Sequence, residues 1–250
     1  MKKLNGKSAF ISGGTSGIGL ATAKDFIEQG ASVIITGRYK NTVDETMKIL
    51  GPASYGIVSD AGNMKDVLEL KEQVLHFTPG IDILFANAGY GKFAPIEAVS
   101  ENMFDELFNV IVKGTFFTIQ QLLSLMNEHS SIILNTSVVT EYGSQLTSVY
   151  SAAKNSLSSM VKTFASELTA RKIRVNAVSP GYTITDGFNK TGMTQEQITA
   201  TKEYITPMLP FKRFADASEV AKVVSFLASD DSSYIHAAEI LVDGGYSSIR

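Results

Sequence analysis

The amino-acid sequence predicts an α/β fold: a single doubly wound domain in which a parallel seven-stranded sheet carries helices on both faces. Short apolar runs alternate with longer segments of helical periodicity, and the first apolar run ends in a glycine-rich turn. Buried parallel strands joined by helices produce this alternation. No linker or repeat divides residues 1–250, of which 44% are hydrophobic and 19% charged, so one domain with a large core is expected.

The strands are predicted near residues 7–12, 32–36, 54–58, 81–86, 131–136, 173–178 and 238–242. We expect the first and fourth strands to be neighbours, flanking the point where the strand order reverses and where such sheets bind ligands. The least regular stretch is about 182–212, with Gly187, Gly192, Pro207 and Pro210. It is a candidate lid over the substrate, although a disordered loop would give the same pattern.

Two helical segments, about 101–127 and 148–171, carry more apolar side chains than one face of a sheet requires. About half of these side chains are expected in the core and the others at a subunit interface. They are Met103, Phe104, Leu107, Phe108 and Phe116 in the first segment, and Leu157, Met160, Val161, Phe164 and Leu168 in the second.

The turn after the first strand, residues 12–19, reads Ser-Gly-Gly-Thr-Ser-Gly-Ile-Gly and precedes a helical pattern. A glycine-rich turn at a helix N-terminus offers backbone N–H groups and the positive end of the helix dipole to a pyrophosphate. The spacing is looser than Gly-x-Gly-x-x-Gly but has the same place in a Rossmann domain. The candidate dinucleotide-binding residues of the turn are Gly13, Thr15, Ser16, Gly17, Ile18 and Gly19.

A second motif contains the candidate catalytic residues. Tyr150 and Lys154 lie four residues apart, on one face of a predicted helix, and Ser137 follows the fifth strand. A phenol titrates near pH ~10, and a neighbouring ammonium stabilises the phenolate. We expect Tyr150 to act as general acid/base, Lys154 to lower its pKa and anchor a ribose, and Ser137 to orient the substrate oxygen. These roles suit hydride transfer between a nicotinamide and a ketone or secondary alcohol.

With these motifs, the chain resembles the short-chain dehydrogenase/reductase family from end to end, in its single-domain subgroup of about 250 residues. Further matching segments begin at Asp60, Asn87, Arg174 and Val242. The resemblance implies a small-molecule substrate and a homotetramer, or a dimer, built on the two long helical segments.

The resemblance also implies roles for further residues. Asp60, followed by Ala61, would accept a hydrogen bond from adenine. The stretch after Pro180-Gly181 would reach the nicotinamide carboxamide through the Thr183 backbone and the Thr185 hydroxyl. The residues implied to line the adenosine side and support the central strand are Asn87, Ala88 and Gly89.

One position departs from the family pattern. Members similar to this chain carry an asparagine three residues before the glycine of a segment resembling Asn-Val-Lys-Gly, where it holds a water of a proton relay from the lysine. Here that residue is Ile111, which puts the relay in question. Asn109 lies two residues earlier, about 200° around a helix of 3.6 residues per turn, and is expected to be an exposed polar residue.

The end of the second strand bears on the choice of nucleotide. An aspartate at the position of Gly37 would bind both ribose hydroxyls of NAD and repel a 2′-phosphate. Gly37 removes that repulsion, and Arg38 supplies a forked cation suited to phosphate. Ser16 would add a hydroxyl donor where many NADP-binding relatives place a second basic residue. The sequence therefore favours NADP(H), with NAD(H) as the alternative if Arg38 merely stacks on adenine.

Composition argues against several other classes. The net charge of −3 gives no basic surface for nucleic acid, and the absence of cysteine excludes disulfides and thiol catalysis. His76, His129 and His236 show no metal-ligand spacing, so no metal is expected. No signal peptide and no apolar run of the ~20 residues of a membrane helix are found. A cytoplasmic protein without a membrane partner is expected.

Three functions are compatible with this fold. A ketoreductase or alcohol dehydrogenase fits every motif. The alternative is a catalytically impaired dinucleotide-binding regulator, which Ile111 alone favours. A dehalogenase-like lyase would abandon the cofactor turn and the lysine, and both are present. Expected pocket positions at 90–93, 138–145 and 182–193 mix apolar and polar residues without clustered cations for a CoA or carrier-protein phosphate, which indicates a modest ketone or secondary alcohol.

Overall fold

A computed structural model of the protein describes residues 2–185 and 194–249. The strands are β1 (Ser8–Ile11), β2 (Ser32–Gly37), β3 (Ser54–Val58), β4 (Ile81–Ala86), β5 (Met126–Asn135), β6 (Arg174–Pro180), β7 (Thr183–Ile184), β8 (Ala215–Asp216) and β9 (Glu239–Val242). The helices are α1 (Gly17–Glu28), α2 (Lys40–Leu50), α3 (Met64–Leu75), α4 (Glu101–Leu107), α5 (Thr115–Leu122), α6 (Ser148–Leu168), α7 (Gln195–Ile205) and α8 (Ala217–Ala228). None of these helices is both long enough and apolar enough to span a membrane.

Seven strands form one parallel sheet in the order β3-β2-β1-β4-β5-β6-β9. The chain moves outward from β1 to β3, returns to β4 beside β1, and then moves outward in the other direction. β1 and β4 pair from Ala9 opposite Ile83 to Ile11 opposite Phe85. The doubly wound sheet and the adjacency of the first and fourth strands are therefore confirmed. Because the strands are parallel, their carboxyl ends all lie at one edge.

Alternating side chains build a core on each face of the sheet. In β4, Leu84 belongs to the cluster packed by α3, α5 and α6, whereas Ile83 and Phe85 belong to the cluster packed by α1 and α8. Phe26 of α1 and Val224 of α8 are fully buried in the second cluster. The central strands are covered on both faces, which explains why they read as continuous apolar runs rather than as alternating ones.

The first long helical segment is more divided than the sequence predicts. A π-helical segment, Phe108–Gly114, separates α4 from α5, and helical structure stops at Leu125. β5 begins at Met126 rather than near 131, and its register with β4 shifts between Ile81 and Ile83. The polar residues 127–130 extend the strand across this irregularity, and a search for apolar runs does not detect them.

The predicted irregular stretch contains more structure than expected. Thr194 Oγ1 accepts a hydrogen bond from the Gln197 N–H at 3.3 Å, and Gln197 Oε1 accepts from the Thr194 N–H at 2.9 Å. This capping box begins α7, so the prediction of irregular structure is wrong for 195–205. β7 and β8 form a short parallel pair that the sequence did not predict. Gly187 and Gly192 lie outside the described residues.

Most of the apolar side chains of the two long helical segments pack in or against the core, more than the half predicted, and a subunit interface stays a prediction. Phe104 and Phe116 are exposed, and the ring of Phe104 stacks on that of Phe108 with centroids 4.5 Å apart. The buried members of the set are Leu107, Leu157, Val161 and Leu168.

The π-helical segment contains both Asn109 and Ile111. A π-helix has a wider turn than an α-helix and so changes the direction of successive side chains. Asn109 is nevertheless exposed, as predicted, and Ile111 is fully buried in the core. A Cβ atom placed on Gly89 would lie 3.5 Å from Ile111 Cγ1 and 3.8 Å from Lys154 Nζ. Ile111 therefore packs in the neighbourhood of the buried lysine.

We expect Ile111→Asn to destabilise the protein, because it replaces a fully buried apolar side chain by an amide. Lost burial and an unpaired amide together cost roughly 2–4 kcal/mol, which lowers Tm by about 4–16 °C for a domain of this size. Asn109→Ala, exposed in the same segment, is the control and should change Tm by less than about 2 °C. Thermal unfolding followed by circular dichroism measures both. An unchanged Tm for Ile111→Asn would show that the amide finds hydrogen-bond partners there.

Candidate active site

A cavity of about 620 Å³ opens at the carboxyl edge of the sheet, where β1 and β4 meet. The predicted site residues that line it are Gly13, Thr15, Ser16, Gly17, Ile18, Gly37, Arg38, Asp60, Ala61, Asn87, Ala88, Gly89, Ser137, Tyr150, Lys154, Pro180, Gly181, Thr183 and Thr185. Gly19 is not on the wall but lies behind the turn. The described residues contain no group of three or more His, Asp or Glu side chains that would hold a metal ion.

The turn between β1 and α1 depends on its glycines. Gly13 and Gly17 adopt φ angles of 66° and 54°, in the left-handed region that favours glycine. A Cβ atom on Gly19 would lie 2.3 Å from the carbonyl oxygen of Gly13 and 2.7 Å from Asn87 Nδ2. The first turn of α1 therefore packs directly against backbone, and its N-terminal end faces the cavity, where the free N–H groups of a helix suit an anion.

Ser12 and Thr36 fix the turn to the neighbouring strands, and the sequence analysis gave neither a role. The N–H groups of Asn87 and Ala88 donate to Ser12 Oγ at 2.9 and 3.0 Å. Asn87 Nδ2 donates to the carbonyl oxygens of Ser12 and Gly13, both at 3.1 Å. Thr36 Oγ1 accepts from the Gly13 N–H at 3.2 Å. In the sequence, the feature that could have identified them is a residue with a hydroxyl group near the end of β1 and of β2.

The end of β2 presents Gly37 and Arg38 to the cavity. A Cβ atom on Gly37 would lie 2.4 Å from Thr15 Cγ2, so the glycine allows β2 to approach the turn closely. The guanidinium carbon of Arg38 lies 5.4 Å from the ring centroid of Tyr39 and 5.8 Å from that of Tyr90. Both distances are within cation–π range, so the two rings hold the cation at the cavity.

Asp60 and Ala61 are held by backbone contacts after β3. Asp60 Oδ1 accepts from the Gly62 N–H at 2.9 Å, and the Asp60 N–H donates to Asp66 Oδ2 at 2.9 Å. A Cβ atom on Gly114 would lie 2.2 Å from the carbonyl oxygen of Ala61. The glycine that ends the π-helical segment is therefore required for this segment to pack against Ala61 at the cavity wall.

The loop after β6 closes the cavity next to the turn. A Cβ atom on Gly181 would lie 2.8 Å from Asp243 Cα, so the C-terminal segment packs on the backbone here. Thr183 Oγ1 donates to the carbonyl oxygen of Gly181 at 3.1 Å. A Cβ atom on Gly17 would lie 3.1 Å from Thr185 Cβ. Thr185 therefore stands beside the glycine turn, within the same cavity.

Ser137, Tyr150 and Lys154 meet at the other end of the cavity. Lys154 Nζ donates to the carbonyl oxygen of Asn135 at 2.6 Å, which fixes α6 against the end of β5. Lys154 Nζ lies 5.9 Å from the ring centroid of Tyr150, and the Phe93 ring meets the Tyr150 ring edge to face at 5.7 Å. The hydroxyl of Ser137 lies close enough to the Tyr150 phenol to lower the pKa of that phenol. The three residues predicted from the sequence are thus brought together.

Burial perturbs the titration of both ionisable groups. It raises the pKa of Tyr150, and the hydrogen bond with Ser137 acts in the opposite direction. It lowers the pKa of Lys154 to about 8, opposed by the negative charge of Glu239. Lys154 Nζ donates to the Asn135 carbonyl, and the expected lowering of the Tyr150 pKa by Lys154 stays a prediction. Near neutral pH, Tyr150 is protonated and Lys154 is mostly charged.

Asn135 and Thr136, at the end of β5, are site residues that the sequence analysis missed. Asn135 Nδ2 donates to Asn87 Oδ1 at 2.8 Å, which joins β5 to the segment that holds the glycine turn. Among the described residues, Asn135 Oδ1 is buried without a hydrogen-bond partner. Thr136 Oγ1 lies 2.9 Å from the Val178 carbonyl oxygen and 2.5 Å from Glu239 Oε1, and its single proton is donated to the carboxylate, which is the stronger acceptor. The signal was a pair of polar residues between an apolar strand and Ser137.

Aromatic side chains surround the end of the cavity that contains Tyr150. Tyr142 and Tyr182 line the wall, and the Tyr246 ring behind them meets theirs edge to face at 5.5 and 5.3 Å. Burial and the neighbouring phenols raise the pKa of Tyr142 and that of Tyr182, so this wall is uncharged. Most of the pocket positions expected at 90–93, 138–145 and 182–185 line the cavity; Lys92, Thr140, Glu141, Gly143 and Ile184 do not, and 186–193 lie outside the described residues. On the described wall, the charged side chains are Arg38, Asp60 and Lys154.

The chain is similar to known protein sequences over nearly its whole length. A sequence profile of the family described as enoyl-(acyl carrier protein) reductase matches residues 13–247. The chain is 36% identical to an oxidoreductase, asL5, of Sarocladium schorii, with 100% of this chain and 99% of the relative covered. It is also 36% identical to a 3-oxoacyl-[acyl-carrier-protein] reductase of Thermotoga maritima, with 97% and 98% covered.

Solved structures share the fold. A mutant short-chain dehydrogenase/reductase of Serratia marcescens superimposes with a TM-score of 0.89 at 26% identity, covering 98% of this chain and 100% of that one. A blue fluorescent protein from a metagenomic library, solved in complex with NADPH, superimposes with a TM-score of 0.89 at 28% identity, covering 98% and 99%. Fold and site together define a dinucleotide-binding oxidoreductase. The chain belongs to the short-chain dehydrogenase/reductase family.

Gly19→Ala is expected to weaken dinucleotide binding, because the new Cβ atom would lie 2.3 Å from a backbone oxygen of the turn. Overpacking of this kind costs roughly 1–3 kcal/mol, so NADPH affinity should fall by about tenfold or more. Gly143→Ala is the matched control, since a Cβ atom there meets nothing within 4 Å. Fluorescence titration with NADPH compares the two. Equal affinities for both variants would mean that the turn does not bind the dinucleotide.

Proposed function

We propose that the protein is an NADP(H)-dependent carbonyl reductase, or alcohol dehydrogenase, that interconverts a ketone and a secondary alcohol. The observation that carries the proposal is the convergence of Ser137, Tyr150 and Lys154 on the cavity that the glycine turn also lines. A carbonyl held there lies between a proton donor and the nucleotide site. The alternative, a dinucleotide-binding regulator without catalysis, gives no reason for a serine, a tyrosine and a buried lysine to meet at this point.

In the proposed reaction, the dinucleotide transfers the hydride and the side chains of the site transfer the proton. When bound, the nicotinamide supplies a hydride to the carbonyl carbon, or accepts one in the reverse direction. Ser137 donates a hydrogen bond to the carbonyl oxygen and fixes its direction. Tyr150 is protonated because burial raises its pKa, and it gives its proton to that oxygen as negative charge develops. The Lys154 ammonium stabilises the tyrosinate that remains. In the oxidation of an alcohol, tyrosinate takes the proton back.

The other cavity residues are assigned to the dinucleotide. The turn at 12–19 would bind the pyrophosphate, and Asp60 would bind the adenine. Thr183 and Thr185 would bind the carboxamide of the nicotinamide. Arg38, held between two aromatic rings, suits a 2′-phosphate. These assignments favour NADP(H) over NAD(H). The segment about 182–212, whose helix α7 contributes to the cavity wall, is proposed as the substrate lid.

The wall around Tyr150 favours an uncharged substrate with an aromatic ring. Phe93, Tyr142 and Tyr182 present ring faces and edges to the cavity, and aromatic pairs of this kind contribute about 0.5–1.5 kcal/mol beyond simple burial. Acetophenone is therefore the first ketone to assay. Since one relative is described as a 3-oxoacyl-[acyl-carrier-protein] reductase, a 3-oxoacyl thioester of a carrier protein is the comparison substrate.

We infer a homotetramer, or a dimer, that forms through the two long helical segments. The exposed rings of Phe104 and Phe116 on α4 and α5 would be covered in such an assembly. The partners proposed are therefore other copies of this chain and a small ketone or alcohol, with no nucleic acid and no membrane. A cytoplasmic location is proposed from membership of the short-chain dehydrogenase/reductase family.

Tyr150→Phe should lower the turnover of acetophenone with NADPH by at least about 10²-fold, the low end for a positioned acid–base group. The phenyl ring keeps the packing against Phe93, so NADPH affinity should change little. Tyr234→Phe, at an exposed position outside the cavity, is the control and should keep full turnover. Loss of absorbance by NADPH measures the rates. Near-normal turnover in Tyr150→Phe would remove this residue from the mechanism.

The preference of the protein for NADPH or NADH tests the role proposed for Arg38. A bidentate contact between Arg38 and a 2′-phosphate is worth roughly 1.5–3 kcal/mol, so kcat/KM should favour NADPH over NADH by about tenfold to hundredfold. Arg38→Ala should remove most of that preference. Gly37→Asp should reverse it by repelling the phosphate. Because a Cβ atom at position 37 would lie 2.4 Å from Thr15 Cγ2, the reversal should be clearest in the double variant Thr15→Ala/Gly37→Asp.

The wild-type protein with both nucleotides, and Thr15→Ala alone, are the controls for this series. Thr15→Ala should keep the preference for NADPH, since it leaves Arg38 in place. Equal or better activity of the wild-type protein with NADH would contradict the nucleotide assignment and leave the reductase proposal intact.

A further inference from the structure

Three consecutive residues at the end of β5 each hold a different part of the active site. The Asn135 carbonyl accepts the hydrogen bond of Lys154, Thr136 Oγ1 donates to Glu239, and Ser137 faces the substrate side of the cavity. From this arrangement we propose that Glu239 is a positioning residue, whose carboxylate keeps Lys154 in its ammonium form from the neighbouring strand β9. The proposal rests on the proposed function for its catalytic consequence.

The ammonium of Lys154 needs such a countercharge. The side chain is 4% exposed, and its hydrogen bond goes to a neutral carbonyl at 2.6 Å. Gly89 lies near Nζ and Ile111 lies near Gly89, and neither residue offers charge or a polar side chain. Among the described residues, no carboxylate forms an ion pair with Lys154. Burying an unpaired charge favours its neutral form unless an opposite charge acts from nearby.

Glu239 is placed to supply that charge. It lies opposite Ala177 of β6, and Ala177 belongs to the core cluster on the α6 face of the sheet. Its side chain is therefore on the same face as Lys154. Thr136, the residue that follows Asn135, donates from Oγ1 to Glu239 Oε1 at 2.5 Å. This hydrogen bond fixes the position of the carboxylate. The carboxylate and the ammonium are thus bound to adjacent residues of one strand end.

The titration of Lys154 agrees with this geometry. Burial lowers its pKa to about 8, and Glu239 is the charged group that opposes the change. The other groups facing Lys154 are the Tyr150 phenol on its own helix, the Asn135 carbonyl on β5, Ile111 on the π-helical segment and the backbone at Gly89. None of these is an anion near neutral pH. Removal of the Glu239 charge should therefore lower the Lys154 pKa further and neutralise it within the working range of pH.

The variant Glu239→Gln tests the proposal, because it keeps an oxygen that accepts from Thr136 and removes the charge. Glu167→Gln, exposed on α6, makes the same change of charge away from the site. The first readout is direct: ¹³C NMR of ε-labelled lysine, with the Lys154 signal assigned by its loss in Lys154→Met. We expect the Lys154 pKa to fall by roughly one unit in Glu239→Gln, the size that Coulomb's law gives for unit charges about 10 Å apart at a dielectric constant near 20. An unchanged pKa would overturn the proposal.

The second readout is the pH profile of kcat for ketone reduction. A fall of one unit from about 8 reduces the charged fraction at pH 8 about fivefold, so turnover there should fall about fivefold while it stays near normal at pH 6. A loss that is equal at all pH values would indicate a structural role and contradict the proposal. If the NMR pKa falls but the wild-type protein transfers no hydride, the electrostatic assignment holds and the proposed function fails.

Variants at Thr136 distinguish the charge from its placement. Thr136→Val removes the hydroxyl that holds the carboxylate, and Thr136→Ser restores it with little change in volume. We expect Thr136→Val to shift the pH profile in the same direction as Glu239→Gln, and Thr136→Ser to return it to that of the wild-type protein. A normal profile in Thr136→Val would show that the hydrogen bond does not position Glu239.

Discussion

The hydrogen bond from Lys154 to the Asn135 carbonyl is the contact on which the arrangement of the active site depends. It joins the helix that carries Tyr150 to the strand that leads to Ser137, two elements that otherwise meet through apolar side chains such as Leu134 and Leu157. Apolar packing is not directional, so the polar bond sets how far along the strand the helix lies. The bond forms because a buried ammonium must find an acceptor. The burial that requires the bond also keeps Tyr150 protonated.

The nucleotide half of the site is tied to this contact by a series of hydrogen bonds along the sheet edge. Thr36, at the end of β2, binds the turn at Gly13; Asn87, after β4, binds the same turn; and Asn135, at the end of β5, binds Asn87. The series crosses four adjacent strands. The position of a bound nicotinamide relative to Tyr150 is therefore set by one continuous edge rather than by two halves that move independently.

Most of the sheet and the glycine turn could be predicted from the sequence. The central strands are buried on both faces and read as apolar runs, and the glycines at 13 and 19 mark close backbone approach. All seven strands were located, although the edge strands β3 and β9 are only partly buried. Residues such as Ser12, Asn135 and Glu239 were missed, because their partners come from distant strands and a lone polar residue has no periodic signal. The early start of β5 was missed for a related reason: register between strands is decided by tertiary pairing.

The central claim is that the site transfers a hydride directly from a bound nicotinamide to a carbonyl carbon beside Tyr150. The most direct measurement uses NADPH with deuterium at nicotinamide C4 and acetophenone as the acceptor, followed by mass spectrometry and NMR of the alcohol. Direct transfer predicts one deuterium on the carbinol carbon, with one face of the nicotinamide acting as donor. Formation of unlabelled alcohol from cofactor deuterated on both faces, or no alcohol with any ketone, would contradict the claim.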